Sequence, residues 1–208
     1  MKPRQHIAAA GVLVKELRQN RTAAGLPGKG REGKVFMRKI LIVVDMQNDF
    51  ISGPLGSSEA EKIVSAVAGK MRGYDEIIFT KDTHDSDYLG TREGKSLLVE
   101  HCIEGSEGWQ IADGISVPEG ARVICKNAFG SMELAGLLKS EDEKKRIDSV
   151  CLVGVCTDIC VISNAIIARS VLPEATVSVD ASCCAGVTPE SHETALKAMQ
   201  ACHIIVER

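Results

Sequence analysis

The sequence predicts an α/β fold of three layers, with helices on both faces of a central, mostly parallel six-stranded sheet. Three observations point there. Apolar runs rich in Val and Ile alternate with segments of helical periodicity from Lys39 onward. Those runs are near-continuous instead of alternating apolar and polar, as in strands buried on both faces. The 208 residues, 44% hydrophobic and 25% charged, suffice for one domain with a sizeable core.

The first strand is "KILIVVD", and "SSEAEKIVSAVAGKMRG" follows as a helix. Its Ile63, Val64, Val67 and Met71 share one stripe, with Ser57 or Ser58 as N-cap. "EIIFTKD" and "RVICK" are the next two strands, and "SMELAGLLKS" is a short helix with Ser131 placed to cap it. "SVCLVGV" is the fourth strand, "TDICVISNAIIARSVL" a helix and "ATVSVD" the fifth strand. The helix "TPESHETALKAMQA" takes Thr188 as N-cap and Pro189 in its first turn, and "HIIVE" closes the set. Between Asp82 and Arg122 the chain has little periodicity; so long a loop in a compact domain is often functional.

Charge divides the chain. Residues 1–36 carry eight Lys/Arg against two Asp/Glu, a net of +6, and the remainder carries −9. The reading is a basic, flexible N-terminal extension over 1–36, containing one short helix at "IAAAGVLVKELRQ", before a domain at 37–208. The extension lacks a secretory apolar core and contains no serine, unlike a transit peptide; Met37 is an alternative translation start. A whole-chain charge of −3 gives no reason to expect nucleic acid. No apolar run approaches the roughly 18 residues of a membrane span. Eight cysteines, all from Cys102 to Cys202 and without a secretory signal, read as reduced thiols of a cytoplasmic protein.

The polar residues converge. Asp45 ends the first strand, Asp82 the second and Lys126 the third, and Cys156 and Cys160 follow the fourth. In an open parallel sheet, ligands bind at the carboxyl ends of the strands. The C-x-x-x-C spacing lacks the two-residue gap of common zinc knuckles and redox dithiols. Both cysteines would also suit a small-residue core. Position favours a nucleophile: "GVCTD" makes a strand-to-helix turn, putting Cys160 near a helix N-terminus that favours a thiolate.

Asp45 is the proton acceptor available to it, although Cys and Asp differ by about 4.6 pKa units in water, roughly 6 kcal/mol. Burial must raise the aspartate, or Lys126 and the helix terminus must lower the thiol. The bland alternatives are a capping Asp45 and a solvated Lys126. Asp82 and His84, two apart, point to the same side of an extended backbone, and His101 can fold back to join them. Two imidazoles and a carboxylate suit one divalent metal ion: zinc first, with iron and manganese also suited. His6 and His203 have no partners nearby, and His192 reads as a helix-surface residue.

With these residues assembled, residues 38–208 resemble the isochorismatase-like cysteine hydrolases, and within them the nicotinamidases. The resemblance lies in "ILIVVDMQNDF", "TKDTHD", "EHCIEGSEGWQI", "CKNAFGS" and "GVCTDICV", in that order. It implies a catalytic triad of Asp45, Lys126 and Cys160. It also implies a cis peptide bond between Val155 and Cys156, with the Cys156 and Cys160 N–H groups aimed at one oxyanion. Asp82, His84 and His101 match the family's metal ligands, and Phe50, Leu98 and Phe129 fall at its substrate pocket.

The implied reaction is hydrolysis of a small amide through a thioester, nicotinamide giving nicotinate and ammonia, in a protein that often forms homo-oligomers. There are departures. Leu98 stands where nicotinamidases commonly carry a ring-packing tryptophan, Cys156 replaces a smaller residue, and "DSDYLGT" lacks an additional histidine ligand. The competing readings are an amidase for another small amide or carbamoyl compound, with or without metal, a non-catalytic binding protein on the same fold, and a redox pair at Cys156 and Cys160.

Overall fold

The computed structural model describes residues 37–74 and 76–208; the extension read over 1–36 lies outside them. Six parallel strands form one sheet in the order β3-β2-β1-β4-β5-β6. They are β1 Lys39–Val44, β2 Glu76–Asp82, β3 Arg122–Lys126, β4 Ser149–Val155, β5 Thr176–Ala185 and β6 Ile205–Glu207. The helices are α1 Asn48–Ile51, α2 Ser58–Met71, α3 Met132–Lys144, α4 Ile162–Val171 and α5 Pro189–Ala201.

Because side chains alternate across a strand, β1 feeds two cores at once. Ile40, Ile42 and Val44 join Leu134 and Leu138 of α3, Ala165 and Ala168 of α4, and Leu196 and Met199 of α5. Leu41 and Val43 join Phe50 and Ile51 of α1 and Ile63, Val67 and Met71 of α2. This produces the three expected layers. The helix starts follow their caps: Ser57, Ser131 and Thr188 accept from Ala60, Leu134 and Ser191 N–H groups. No helix among the described residues is long and apolar enough to cross a membrane.

Two details were not expected. β5 runs five residues beyond Asp180, because its register against β4 shifts between Leu152 and Gly154 and then resumes at Cys184 and Ala185. The predicted helix at Thr157 begins instead with a π-turn, Thr157–Val161, in which the Val161 N–H reaches back to the Cys156 carbonyl at 3.0 Å.

The sheet order sets the site. From β1 the chain builds outward through β2 and β3, then returns to β4 on the other side of β1. The carboxyl ends of β1 and β4 therefore flank the switch point where parallel sheets open a crevice. Gly154 permits their close approach: its φ is +117°, and a Cβ there would stand 2.1 Å from the Val44 carbonyl oxygen. Just beyond, Asp45 adopts a left-handed φ of 49°, turning the chain off β1 toward α1.

Candidate active site

Asp45, Lys126 and Cys160 meet. Lys126 Nζ lies 2.7 Å from Asp45 Oδ2 and 3.4 Å from Cys160 Sγ. All three side chains are buried. Thr80, on the neighbouring strand, donates to Asp45 Oδ1 at 2.7 Å. Asp45 therefore does not cap a turn, and Lys126 is not a solvated strand end.

Burial raises the Asp45 carboxyl, assisted by the Asp82 charge and opposed by Lys126 and Thr80. For Lys126, burial works against the charge, but Asp45, Cys160 and Asp82 outweigh it and hold the ammonium above its ordinary range. The thiol departs from the sequence expectation. Burial first, then the Asp45 charge, push Cys160 well above the ordinary range, and Lys126 opposes them without prevailing. Isolation from water outweighs the cation and the helix terminus, so the resting group is a thiol beside an ion pair.

Asp82 joins this triad to a second cluster. Its Oδ1 faces Lys126 Nζ at 3.3 Å, while Oδ2 lies 3.1 Å from His84 Nε2 and 3.5 Å from His101 Nε2. Burial alone would raise this carboxyl; His101, His84 and Lys126 together hold it well below the usual range. A fourth donor, Glu93, places Oε1 3.9 Å from both imidazole Nε2 atoms. One ligand atom from each of Asp82, His84, Glu93 and His101 lies within 4.8 Å of the others.

The donor set suits a divalent ion. His101 Nδ1 donates to the Val99 carbonyl at 2.9 Å, a hydrogen bond that orients the ring with Nε2 toward Asp82 and Glu93. Tyr88 is fully buried, with its ring 4.7 Å from His84 and 4.9 Å from His101, and its hydroxyl donates to the Leu97 carbonyl at 3.1 Å. That bond pins the long β2–β3 connection over the imidazoles. Gln47 fixes the backbone beneath: its Oε1 accepts from Asp82 N–H at 2.7 Å, and its Nε2 donates to the Asp82 and Trp109 carbonyls.

Cys160 of the first cluster and Asp82, Glu93 and His101 of the second line one cavity of about 330 Å³, together with Cys156 and walls of Phe50, Leu55, Leu97, Phe129, Ile159 and Val187. Phe50 packs on His101 with ring centroids 5.5 Å apart. Phe129 is half exposed at the mouth. Leu98 does not belong here: it is 77% exposed, and Leu97 lines the cavity instead. The turn is responsible. Lys95, Ser96 and Leu97 N–H groups fold back onto the Thr91 and Glu93 carbonyls, which rotates Leu97 inward and Leu98 out.

The Val155–Cys156 peptide is cis. Cys156 lines the cavity, and burial pushes its thiol up to about 12. All eight cysteines are free, Cys156 and Cys160 included. Two anchors hold this turn from outside. Thr157 Oγ1 is 2.8 Å from His192 Nδ1, and Asp158 Oδ1 accepts the Val187 N–H at 3.1 Å. His192 is therefore not a bare surface residue but half-buried against the turn. His203 is exposed, and His6 lies outside the described residues.

Sequence reasoning missed Glu93, Tyr88, Thr80 and Gln47. Glu93 carries no local motif, and only the folding of its loop reveals it. Gln47 was within reach, because a polar residue two positions after a strand-end aspartate, amid apolar neighbours, needs a buried partner.

The chain is similar over most of its length to known proteins. The nicotinamidase of Schizosaccharomyces pombe is 27% identical over 194 residues, covering 76% of this chain and 87% of that protein. A crystal structure of pyrazinamidase from Pyrococcus horikoshii in complex with zinc superposes with a TM-score of 0.71 at 28% identity, covering 82% of this chain and 99% of that one. The nicotinamidase from Bacillus subtilis gives 0.69 at 26% identity, covering 83% and 100%. The Isochorismatase domain matches residues 39–207, and the chain belongs to that family.

Proposed function

We propose that the protein is a cysteine amidohydrolase that cleaves a small amide, nicotinamide, to nicotinate and ammonia. The observation carrying this reading is the cavity that Cys160 shares with Asp82, Glu93 and His101, with Lys126 in contact with both the sulfur and Asp45, and His84 beside Asp82. Similarity to the nicotinamidases of Schizosaccharomyces pombe and Bacillus subtilis supports the amide class.

Asp45 accepts the Cys160 proton as the sulfur attacks the amide carbon, and burial of the carboxyl makes it a stronger base than an aspartate in water. Lys126 keeps its charge throughout, so it stabilises the thiolate as it forms without competing for the proton. The tetrahedral oxyanion is taken by backbone N–H groups of the Cys156–Cys160 turn. Asp45 returns the proton to the departing nitrogen, and ammonia leaves a thioester on Cys160. Asp45 then takes a proton from water, the hydroxide displaces sulfur, and the acid and thiol are restored.

Asp82, His84, Glu93 and His101 would hold a divalent ion, zinc being the ion in the Pyrococcus relative. Bound there, such an ion would supply Lewis acidity toward a ring nitrogen, so that the four side chains holding it would set where the amide lies relative to sulfur. Phe50 and Phe129 offer faces for an aromatic ring.

A second reading has its own observation. Leu98 stands where nicotinamidases commonly carry a ring-packing tryptophan, and the cavity lining offers Leu97, Leu55, Ile159 and Val187. That lining also suits a small amide or carbamoyl compound without a pyridine ring. Ammonia release measured over nicotinamide, pyrazinamide and several carbamoyl compounds decides between them. Nicotinamide is expected to lead, with Cys160→Ala inactive and Cys156→Ala active. Turnover of carbamoyl compounds alone would favour the second reading, and full activity in Cys160→Ala would refute both.

A further inference from the structure

Asn164 lies one helical turn after Cys160, fully buried, and every polar bond its side chain makes goes to backbone around the site. Its Nδ2 donates to the Cys160 carbonyl at 2.8 Å and to the Phe129 carbonyl at 3.0 Å. Its Oδ1 accepts the Ser131 N–H at 2.9 Å. Two carbonyls and one N–H admit only one orientation of the amide, so both its donors and its acceptor are committed.

These partners belong to different parts of the site. Cys160 sits on the π-turn after β4. Phe129 and Ser131 belong to the loop that leaves Lys126 at the end of β3, where Phe129 forms a wall of the cavity and Ser131 caps α3. β3 and β4 are not neighbours, since β2 and β1 stand between them, so no sheet hydrogen bond fixes one loop to the other. Ser163 contrasts with it. Its hydroxyl bonds the Ile159 carbonyl one turn back at 2.6 Å and reaches no other element.

We propose that Asn164 is a positioning residue that locks the nucleophile turn to the Lys126–Phe129 loop, setting where Cys160 stands relative to the wall that holds the substrate. It touches neither substrate nor sulfur and acts through the Cys160 and Phe129 backbones. The proposal rests on Cys160 being the nucleophile. It predicts that the two halves can be uncoupled separately, because one amide serves both.

The experiment compares the full-length chain with Asn164→Leu, close in shape but unable to make any of the three bonds, and with Asn164→Ser. The serine can keep a bond to the carbonyl one turn back, as Ser163 does, but is too short for the Phe129 loop. Amide exchange at Ser131, alkylation of Cys160 by iodoacetamide and steady-state kinetics on nicotinamide are measured for each. In Asn164→Leu, Ser131 exchange is expected to rise about tenfold or more, because its acceptor is gone. Cys160 alkylation should shift from the wild-type rate, and kcat/KM should fall about 10- to 100-fold.

Asn164→Ser should keep kcat within about twofold while KM rises about tenfold, the sign of a freed wall beside an intact nucleophile. If Asn164→Leu does not fold, Asn164→Ser decides alone, by Ser131 exchange and by the KM-against-kcat split. Wild-type exchange at Ser131 in either variant, wild-type alkylation of Cys160 in Asn164→Leu, or a loss of kcat with KM unchanged in Asn164→Ser would overturn the proposal. Wild-type inactivity on nicotinamide would refute the substrate reading instead, and exchange and alkylation would still decide the coupling.

Discussion

Lys126 Nζ lies 2.7 Å from Asp45 Oδ2, yet that oxygen receives no well-directed hydrogen bond, whereas Oδ1 is held by Thr80. The two carboxylate oxygens thus have different tasks. Oδ1 fixes the group in place, and Oδ2, close to the ammonium but undirected, is the oxygen that the proposed mechanism assigns to the proton from sulfur. Lys126→Met removes the charge between two buried carboxylates, Asp45 and Asp82. Breaking such a pair from one side costs about 3–5 kcal/mol. The variant should show that loss in urea denaturation and negligible ammonia release; wild-type stability would contradict the buried pair.

The pH profile follows from Asp45. Its carboxyl is raised by burial above the ordinary range, and a base works only when ionised. The sign is therefore fixed: activity is present above the folded pKa and lost as pH falls through it. The acid limb of kcat/KM should lie above the ordinary aspartate value of about 3.9. A limb at or below that value would mean that Asp45 is not the base.

Glu93 adds a fourth donor to the three metal ligands suggested by the sequence, in a group whose ligand atoms all lie within 4.8 Å of one another. Glu93→Gln should weaken zinc binding about 10- to 100-fold, measured by competition with a chromophoric chelator. Chelation of the wild type should chiefly raise KM for nicotinamide, because substrate positioning is lost before thiol chemistry. Zinc affinity unchanged in Glu93→Gln would remove this residue from the site.

Gly154→Ala tests how the switch point is built. The added Cβ would meet the Val44 carbonyl oxygen at 2.1 Å with φ at +117°, and the three nearest atoms, Val44 O, C and N, are all backbone. Equilibrium unfolding should show a loss of about 3 kcal/mol, in the range expected when a special backbone position is filled. A neutral substitution would show that β1 and β4 can separate here.

The strands were legible because each is a compact apolar run ending in a residue with distinct chemistry: Asp45, Asp82, Lys126. The order of those ends puts them on one rim of the sheet. What the sequence hid was set by distant contacts. Glu93 and Leu97 depend on the folding of the β2–β3 connection around Tyr88, which has no period to read. The Cys160 thiol was misjudged because its burial, unlike its neighbours in sequence, is a property of the whole core. His192 looked solvent-facing from its helix alone, and only packing against Thr157 shows otherwise.

The central claim is covalent chemistry at one sulfur. The direct measurement is intact-protein and peptide mass spectrometry on enzyme quenched in acid during turnover of nicotinamide. A nicotinoyl group on the peptide bearing Cys160, absent in Cys160→Ala, is the predicted result. Turnover with no acyl group on Cys160, or with the group on Cys156, would contradict it.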